Sequence, residues 1–235
     1  MSEEAAAFLK ARRRKLELVI FDCDGVLIDS EALCNRLVAE ILTADGWPMT
    51  AEECEHRFIG MSFYAMQPVI ELQLGRSLGG DWVDRIVAVV TDAMTREVEP
   101  VPGARAALEA TTAQGLQWRI ASNSSHIEME AKFGRAGWMD LVAGRLHSAV
   151  DAIAAGGAGK PAPDVFLAAA AAEGAARAHC LVIEDSVPGA IAARAAGMDC
   201  LGLVLRGDDA GLRAAGAVPF RSMYDLPLLL QAALT

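Results

Sequence analysis

The run Leu18-Val19-Ile20-Phe21-Asp22-Cys23-Asp24-Gly25 constrains this chain more than any other stretch. Four consecutive apolar residues ended by a turn predict a strand buried on both faces, the form that parallel sheets take in sequence. Side chains alternate along a strand, so Asp22 and Asp24 emerge on the same side of its carboxyl end. Ligands of open α/β sheets bind at that end. Gly25 then permits a sharp turn and a close approach of backbone to a ligand. Two carboxylates so placed supply a nucleophile, a proton shuttle and ligands for a hard divalent cation.

The later chain alternates as a parallel sheet requires. Strands are predicted at Leu116–Ala121, Cys180–Ile183 and Leu201–Leu205. Helices are predicted over 103–112, 125–133, 163–173 and 188–196 between them. Residues 31–99 carry no strand signal. They read as four helices, opened by Ser30, Thr50, Ser62 and Asp81 and separated by Gly46, Gly60 and Gly75. The expected class is therefore α/β: a Rossmann-like doubly wound parallel core built from 1–30 and 100–235, with a helical bundle, 31–99, inserted as a cap. Gly60 is placed to hinge a cap loop. The lead Met1–Lys15 reads as a frayed helix without assigned function.

Composition narrows the partners. With 235 residues the chain can bury roughly 70–75% of its unfolded surface and needs no disulfide or metal to fold. A net charge of −10 argues against nucleic acid or an anionic membrane as partner, and any phosphate site must be locally positive. Five scattered cysteines (Cys23, Cys34, Cys54, Cys180, Cys200) with no C-x-x-C fit a reducing compartment. No 18-residue apolar run spans a membrane. The basic cluster Arg12–Lys15 is followed by Glu17, Asp22 and Asp24, which excludes a signal-peptide core. A cytoplasmic monomer or small homo-oligomer is expected.

Three other stretches align with the first strand. Ser122-Asn123 end a strand before a helix start, where a hydroxyl and an amide can donate to phosphate oxygens. Lys160 lies in a Gly-rich turn before a Pro-started helix, and one fixed ammonium can neutralise a phosphoryl oxygen and a nucleophile. Glu184-Asp185 end the strand Cys180–Ile183, where adjacent acids offer metal oxygens. In order, D-x-D, S-N, K-P and E-D-S-x-x-G resemble the four motifs of the haloacid dehalogenase superfamily, over roughly residues 16–205. The inserted helices resemble the cap of the subfamily containing β-phosphoglucomutase, phosphoglycolate phosphatase and sugar-phosphate phosphatases.

That resemblance implies a Mg²⁺-dependent phosphatase acting on a small phosphorylated metabolite. Asp22 would attack phosphorus to give an aspartyl-phosphate, and Asp24 would protonate the leaving oxygen and then activate water. Mg²⁺ would bind Asp22, the main-chain carbonyl of Asp24, Asp185, and Glu184 directly or through water. Ser122, Asn123, Lys160 and the amides from Cys23 to Gly25 would cradle the transferred group. Dehalogenating relatives lack the second aspartate, so Asp24 points to phosphorus chemistry. Phosphonate-cleaving relatives carry a cap lysine, whereas Lys132 and Lys160, the only lysines after Lys15, lie outside 31–99. A β-phosphoglucomutase-like mutase is the alternative. It expects a histidine twelve residues after the nucleophile and an arginine after the cap-loop glycine, where this chain has Cys34 and Gly60-Met61-Ser62. Hydrolysis is favoured.

Overall fold

The computed structural model describes residues 2–58, 61 and 63–234, Thr95 by its backbone only. The chain begins with α1 (Glu3–Lys10) and β1 (Leu18–Phe21), then runs through α2 (Ser30–Ala44), α3 (Ala51–Phe58), α4 (Phe63–Leu74) and α5 (Trp82–Glu97). It continues with α6 (Ala104–Ala113), β2 (Gln117–Ser122), α7 (His126–Arg135), α8 (Met139–Val142), β3 (Leu146–Ser148), α9 (Ala149–Ala154) and α10 (Asp164–Ala172). Then come β4 (Cys180–Glu184), α11 (Val187–Ala196), β5 (Asp199–Leu203), α12 (Ala210–Ala215), β6 (Val218–Phe220) and α13 (Leu226–Leu234). Two compact units result, Met1–Ile28 with Pro100–Thr235, and Asp29–Glu99.

The first unit is a parallel sheet in the order β3-β2-β1-β4-β5-β6. All four β1 residues are fully buried, as a central strand covered on both faces must be. Phe21 aligns with Ile120 on one side and Ile183 on the other. The next residue, Asp22, thus emerges beside the ends of β2 and β4, where the strand order reverses. One face of the sheet packs Leu18, Ile20 and Val182 against Val165 and Phe166 of α10 and Ala190 and Ala193 of α11. Alanines let α11 approach the sheet closely. On the other face Phe21 meets Trp118 edge to face at 6.3 Å.

The edge strands β3 and β6, three residues each, are absent from the sequence expectation. Neither presents an alternating apolar pattern, and Pro219 interrupts β6, which an edge strand tolerates. The lead is no frayed end either. Ser2 caps α1 by accepting from the Ala5 N–H, Ala5 and Leu9 are buried, and α1 packs on α13 and β6. Beyond it the Arg12 side chain is buried, pairing with Asp199 of β5 and reaching the Ala178 carbonyl. The N-terminal basic cluster thus includes a tie to the sheet.

Within the second unit, Leu42, Cys54, Phe58, Ile70, Trp82 and Ile86 are buried. The N-cap of α2 is Asp29, one residue before the expected Ser30, because its carboxylate accepts from the Ala32 N–H at 3.1 Å. Thr50 and Glu53 form a capping box at α3. The proposed hinge Gly60, and Ser62, lie outside the described residues. No helix among the described residues is long and apolar enough to cross a membrane.

Candidate active site

Strand ends and the loop before α10 converge on Asp22. Lys160 Nζ donates to Asp22 Oδ1 at 2.5 Å, to Glu184 Oε1 at 2.7 Å and to the Ala121 carbonyl at 2.9 Å. An ammonium has three donors, so all three are taken. Phe166 of α10 lies 4.7 Å beneath it, adding cation–π contact. Burial works against the Lys160 charge, but Asp22 and Glu184 overcome it and raise its pKa. Lys160 thus bridges Asp22 and a second carboxylate, Glu184.

Glu184 is fully buried and saturated. Its Oε2 accepts from the Asp185 N–H at 3.0 Å, the Ser186 N–H at 2.9 Å and the Ser186 hydroxyl at 2.8 Å. Its position demands a glycine opposite, since a Cβ on Gly189 would overlap the Glu184 carboxylate. Gly25 plays the same part for Asp185, whose carboxylate occupies the space a Cβ would take. Gly25 is also at φ +79°, which a side chain disfavours. Its N–H is bonded to the Ile28 carbonyl at 2.7 Å. That donor is used within the chain, and the glycine supplies room and a turn.

Asp22 is buried, with 7% of its surface exposed. Burial pushes its pKa up to about 7, Lys160 opposes, and Glu184 and Asp24 push further upward. Asp22, Glu184 and Asp185 offer carboxylate oxygens within 4.8 Å of one another. Three acids against one lysine leave net negative charge in a buried space, a hard-oxygen donor set suited to a divalent cation. A cation there would also keep Asp22 ionised at neutral pH, as a nucleophile requires. The donor set therefore fits the Mg²⁺ that the sequence implies. Cys23, between the two aspartates, is fully buried, and burial drives its thiol pKa well upward, away from reactivity.

Ser122, at the end of β2, is buried, and its Oγ accepts from the Ser124 N–H at 3.0 Å, which orients the hydroxyl. Asn123 turns its side-chain oxygen to the Lys160 N–H at 2.9 Å, bracing the lysine loop. Asp24 has a partner that sequence reasoning passed over. Lys132 Nζ reaches Asp24 Oδ1 at 2.7 Å and Oδ2 at 2.9 Å. Burial lowers the Lys132 pKa, but Asp24 outweighs it and the net shift is upward. One signal was available in the sequence: Lys132 shares the helical face of Met129 and Phe133, an apolar stripe where an unpaired lysine would not be buried.

The helical unit Asp29–Glu99 contains its own cavity of about 420 Å³, lined in part by Glu31, Cys34, Phe58, Tyr64 and Val83. Arg57 of α3 stacks 4.8 Å over Trp47.

Comparisons with known proteins agree with this geometry. A family model for haloacid dehalogenase-like hydrolases matches residues 16–197. The chain is 30% identical to 6-phosphogluconate phosphatase of Escherichia coli over 79% of its own length and 81% of the relative's. It is also 30% identical to hexitol phosphatase B of the same organism, over 79% and 82%. A HAD family hydrolase from Deinococcus radiodurans, solved with bound phosphate and sodium, superposes with a TM-score of 0.81 at 31% identity, covering 93% of this chain and 97% of that one. The chain belongs to the haloacid dehalogenase-like hydrolases, and within them it sides with the phosphatases.

Proposed function

We propose that this chain is a Mg²⁺-dependent phosphatase that hydrolyses a small phosphorylated metabolite, a sugar phosphate or sugar-acid phosphate, through an aspartyl-phosphate on Asp22. The observation that carries the reading is the Asp22–Lys160–Glu184 cluster with Asp185 beside it and Asp24 two residues on. The sugar-phosphate class is supported by the relatives named for 6-phosphogluconate and hexitol phosphates. A cytoplasmic setting is supported by the five free thiols.

Phosphate-monoester hydrolysis is among the slowest uncatalysed reactions, with accelerations reaching on the order of 10²¹, so several effects must coincide. Asp22 attacks phosphorus and splits the reaction into two displacements. Asp24 gives a proton to the leaving oxygen, then removes one from the water that cleaves the acyl phosphate, a contribution of about 10²–10⁴-fold. Lys160 screens Asp22 from Glu184 as the dianionic phosphoryl group approaches, and its ammonium is released to that group as Asp22 esterifies. Ser122 donates its hydroxyl proton to a phosphoryl oxygen. Asp22, Asp185 and the Asp24 carbonyl would hold Mg²⁺, with Glu184, saturated by its own donors, acting through water. The bound ion supplies charge neutralisation for the phosphoryl oxygens.

The test is a phosphate-release screen over sugar and sugar-acid phosphates, with and without Mg²⁺, comparing wild type with Asp22→Asn. Release that needs Mg²⁺ and Asp22, and outruns any interconversion of hexose 1- and 6-phosphates, is expected. Full activity in Asp22→Asn would remove the assigned nucleophile.

A further inference from the structure

Asp24 is gripped on both oxygens by groups that belong to neither the four motifs nor the cap. Lys132 Nζ bonds Oδ1 and Oδ2, and it also reaches the Ser124 hydroxyl at 3.1 Å. Ser124 Oγ in turn donates to Asp24 Oδ2 at 2.9 Å. Ser124 is fixed from behind, its carbonyl accepting from the Ser148 hydroxyl at 2.8 Å, and Ser148 caps α9 by accepting from the Val150 N–H. Lys132 is held as firmly. It is buried beside Met129 and Phe133 on α7, a helix whose start is locked by the Ser125–Glu128 capping box.

A carboxylate offers about four lone-pair sites. Three are occupied here, two by Lys132 and one by Ser124, which leaves one direction open on Oδ1. A lone aspartate side chain samples several rotamers, and a misplacement of about 1 Å can cost about 10²-fold in rate. We infer that Lys132, with Ser124, is the positioning residue that aims Asp24 for proton transfer. This inference rests on the phosphatase reading above and adds to it a residue that works through Asp24 alone. The aim of the acid–base group is then built into the core.

The signature of such a role is dependence on the leaving group. An alkoxide needs a proton as the P–O bond breaks, whereas p-nitrophenolate departs as a stable anion. Lys132→Met should lower kcat/KM for an alkyl phosphate by about 10²-fold. For p-nitrophenyl phosphate it should lower kcat/KM by less than about tenfold, because phosphorylation of Asp22 then bypasses Asp24. Asp24→Asn should give the same split, and Asp24→Asn/Lys132→Met should be no worse than Asp24→Asn alone, because the lysine acts only through its partner. Ser124→Ala, which removes one neutral donor and leaves no buried charge unpaired, should show the split in weaker form, about 3–10-fold on the alkyl ester.

Equal losses on both esters would overturn the inference and reduce Lys132 to a structural ion pair. A double variant clearly slower than Asp24→Asn would overturn it too. If Lys132→Met does not fold, the double variant and Ser124→Ala decide the matter by the same criteria. A wild-type protein that releases phosphate from neither ester would instead sink the phosphatase reading, a separate outcome.

Discussion

Charge is handled in opposite ways in the α/β unit and in the helical unit Asp29–Glu99. Around Asp22 the charged groups are buried or, for Asp24, half-buried, and answered at short range: Lys160 by two carboxylates and a carbonyl, Glu184 by four donors, Asp24 by Lys132 and Ser124. In the cap the pairs Arg36–Glu40 and Arg85–Asp81 lie exposed at i,i+4 spacing. Exposed pairs contribute little, whereas removing one partner of a buried pair leaves an uncompensated charge. The core site is thus fixed by mutual dependence, whereas the exposed pairs of the helical unit hold nothing else in place.

The largest effect that would break this contrast is chemical. Asp22→Asn should lower phosphate release by about 10⁴-fold or more, as removal of a catalytic nucleophile does. Next comes Lys160→Met, which strands Asp22 and Glu184 in a buried space. A cost of about 3–5 kcal/mol follows. In a melting experiment that is roughly 6–20 °C for a chain of this size. Gly189→Ala should be milder, about 1–3 kcal/mol, because a Cβ forces the Glu184 carboxylate from its place. Its activity should fall with its melting temperature.

The fourth prediction concerns pH. In cation-free protein the folded Asp22 keeps its proton up to about pH 7, whereas an unfolded aspartate loses it near about 3.9. Between those values the native state binds more protons, so this group's contribution to stability falls as pH rises through that window. Asp22→Asn lacks the penalty. Its melting temperature relative to wild type should therefore climb between about pH 4 and pH 7, and Mg²⁺ should shrink the difference at pH 7 by stabilising the ionised wild-type carboxylate. A difference independent of pH would contradict the raised Asp22 pKa. The smallest effect belongs to the cap: Arg85→Ala should leave the melting temperature within about 2 °C, since its ion pair with Asp81 is solvated.

What could be read from the sequence follows from how local each signal is. β1 and β4 are continuous apolar runs, and the acids that end them stand next to the pattern that predicts the strand. β3 and β6 are too short to carry a period, and they form because their neighbours β2 and β5 present unpaired edges. Asp22, Lys160 and Glu184 were identifiable by motif, but the saturation of Lys160 by three acceptors was not. It depends on the Ala121 carbonyl, whose direction no side-chain pattern encodes. Lys132 lies 108 residues from Asp24, so only its place on an apolar stripe hinted at burial. The flexibility of Gly25 is a local property that the sequence displays, while the carboxylate that needs its missing side chain comes from Asp185.

The chain leaves the α/β unit after Ile28 and returns to it at Pro100 along adjacent paths. Val101 N–H bonds the Leu27 carbonyl, and Asp29 N–H bonds the Glu99 carbonyl, both at 2.9 Å. The two ends of the 71-residue insert Asp29–Glu99 are therefore already stapled together where they join the α/β body. Lengthening a loop whose ends meet costs only about 0.6 kcal/mol per doubling. The entropic cost of exchanging the segment between Ile28 and Pro100 for a helical module of quite different size is therefore small, because the junction that closes it lies in the chain on either side.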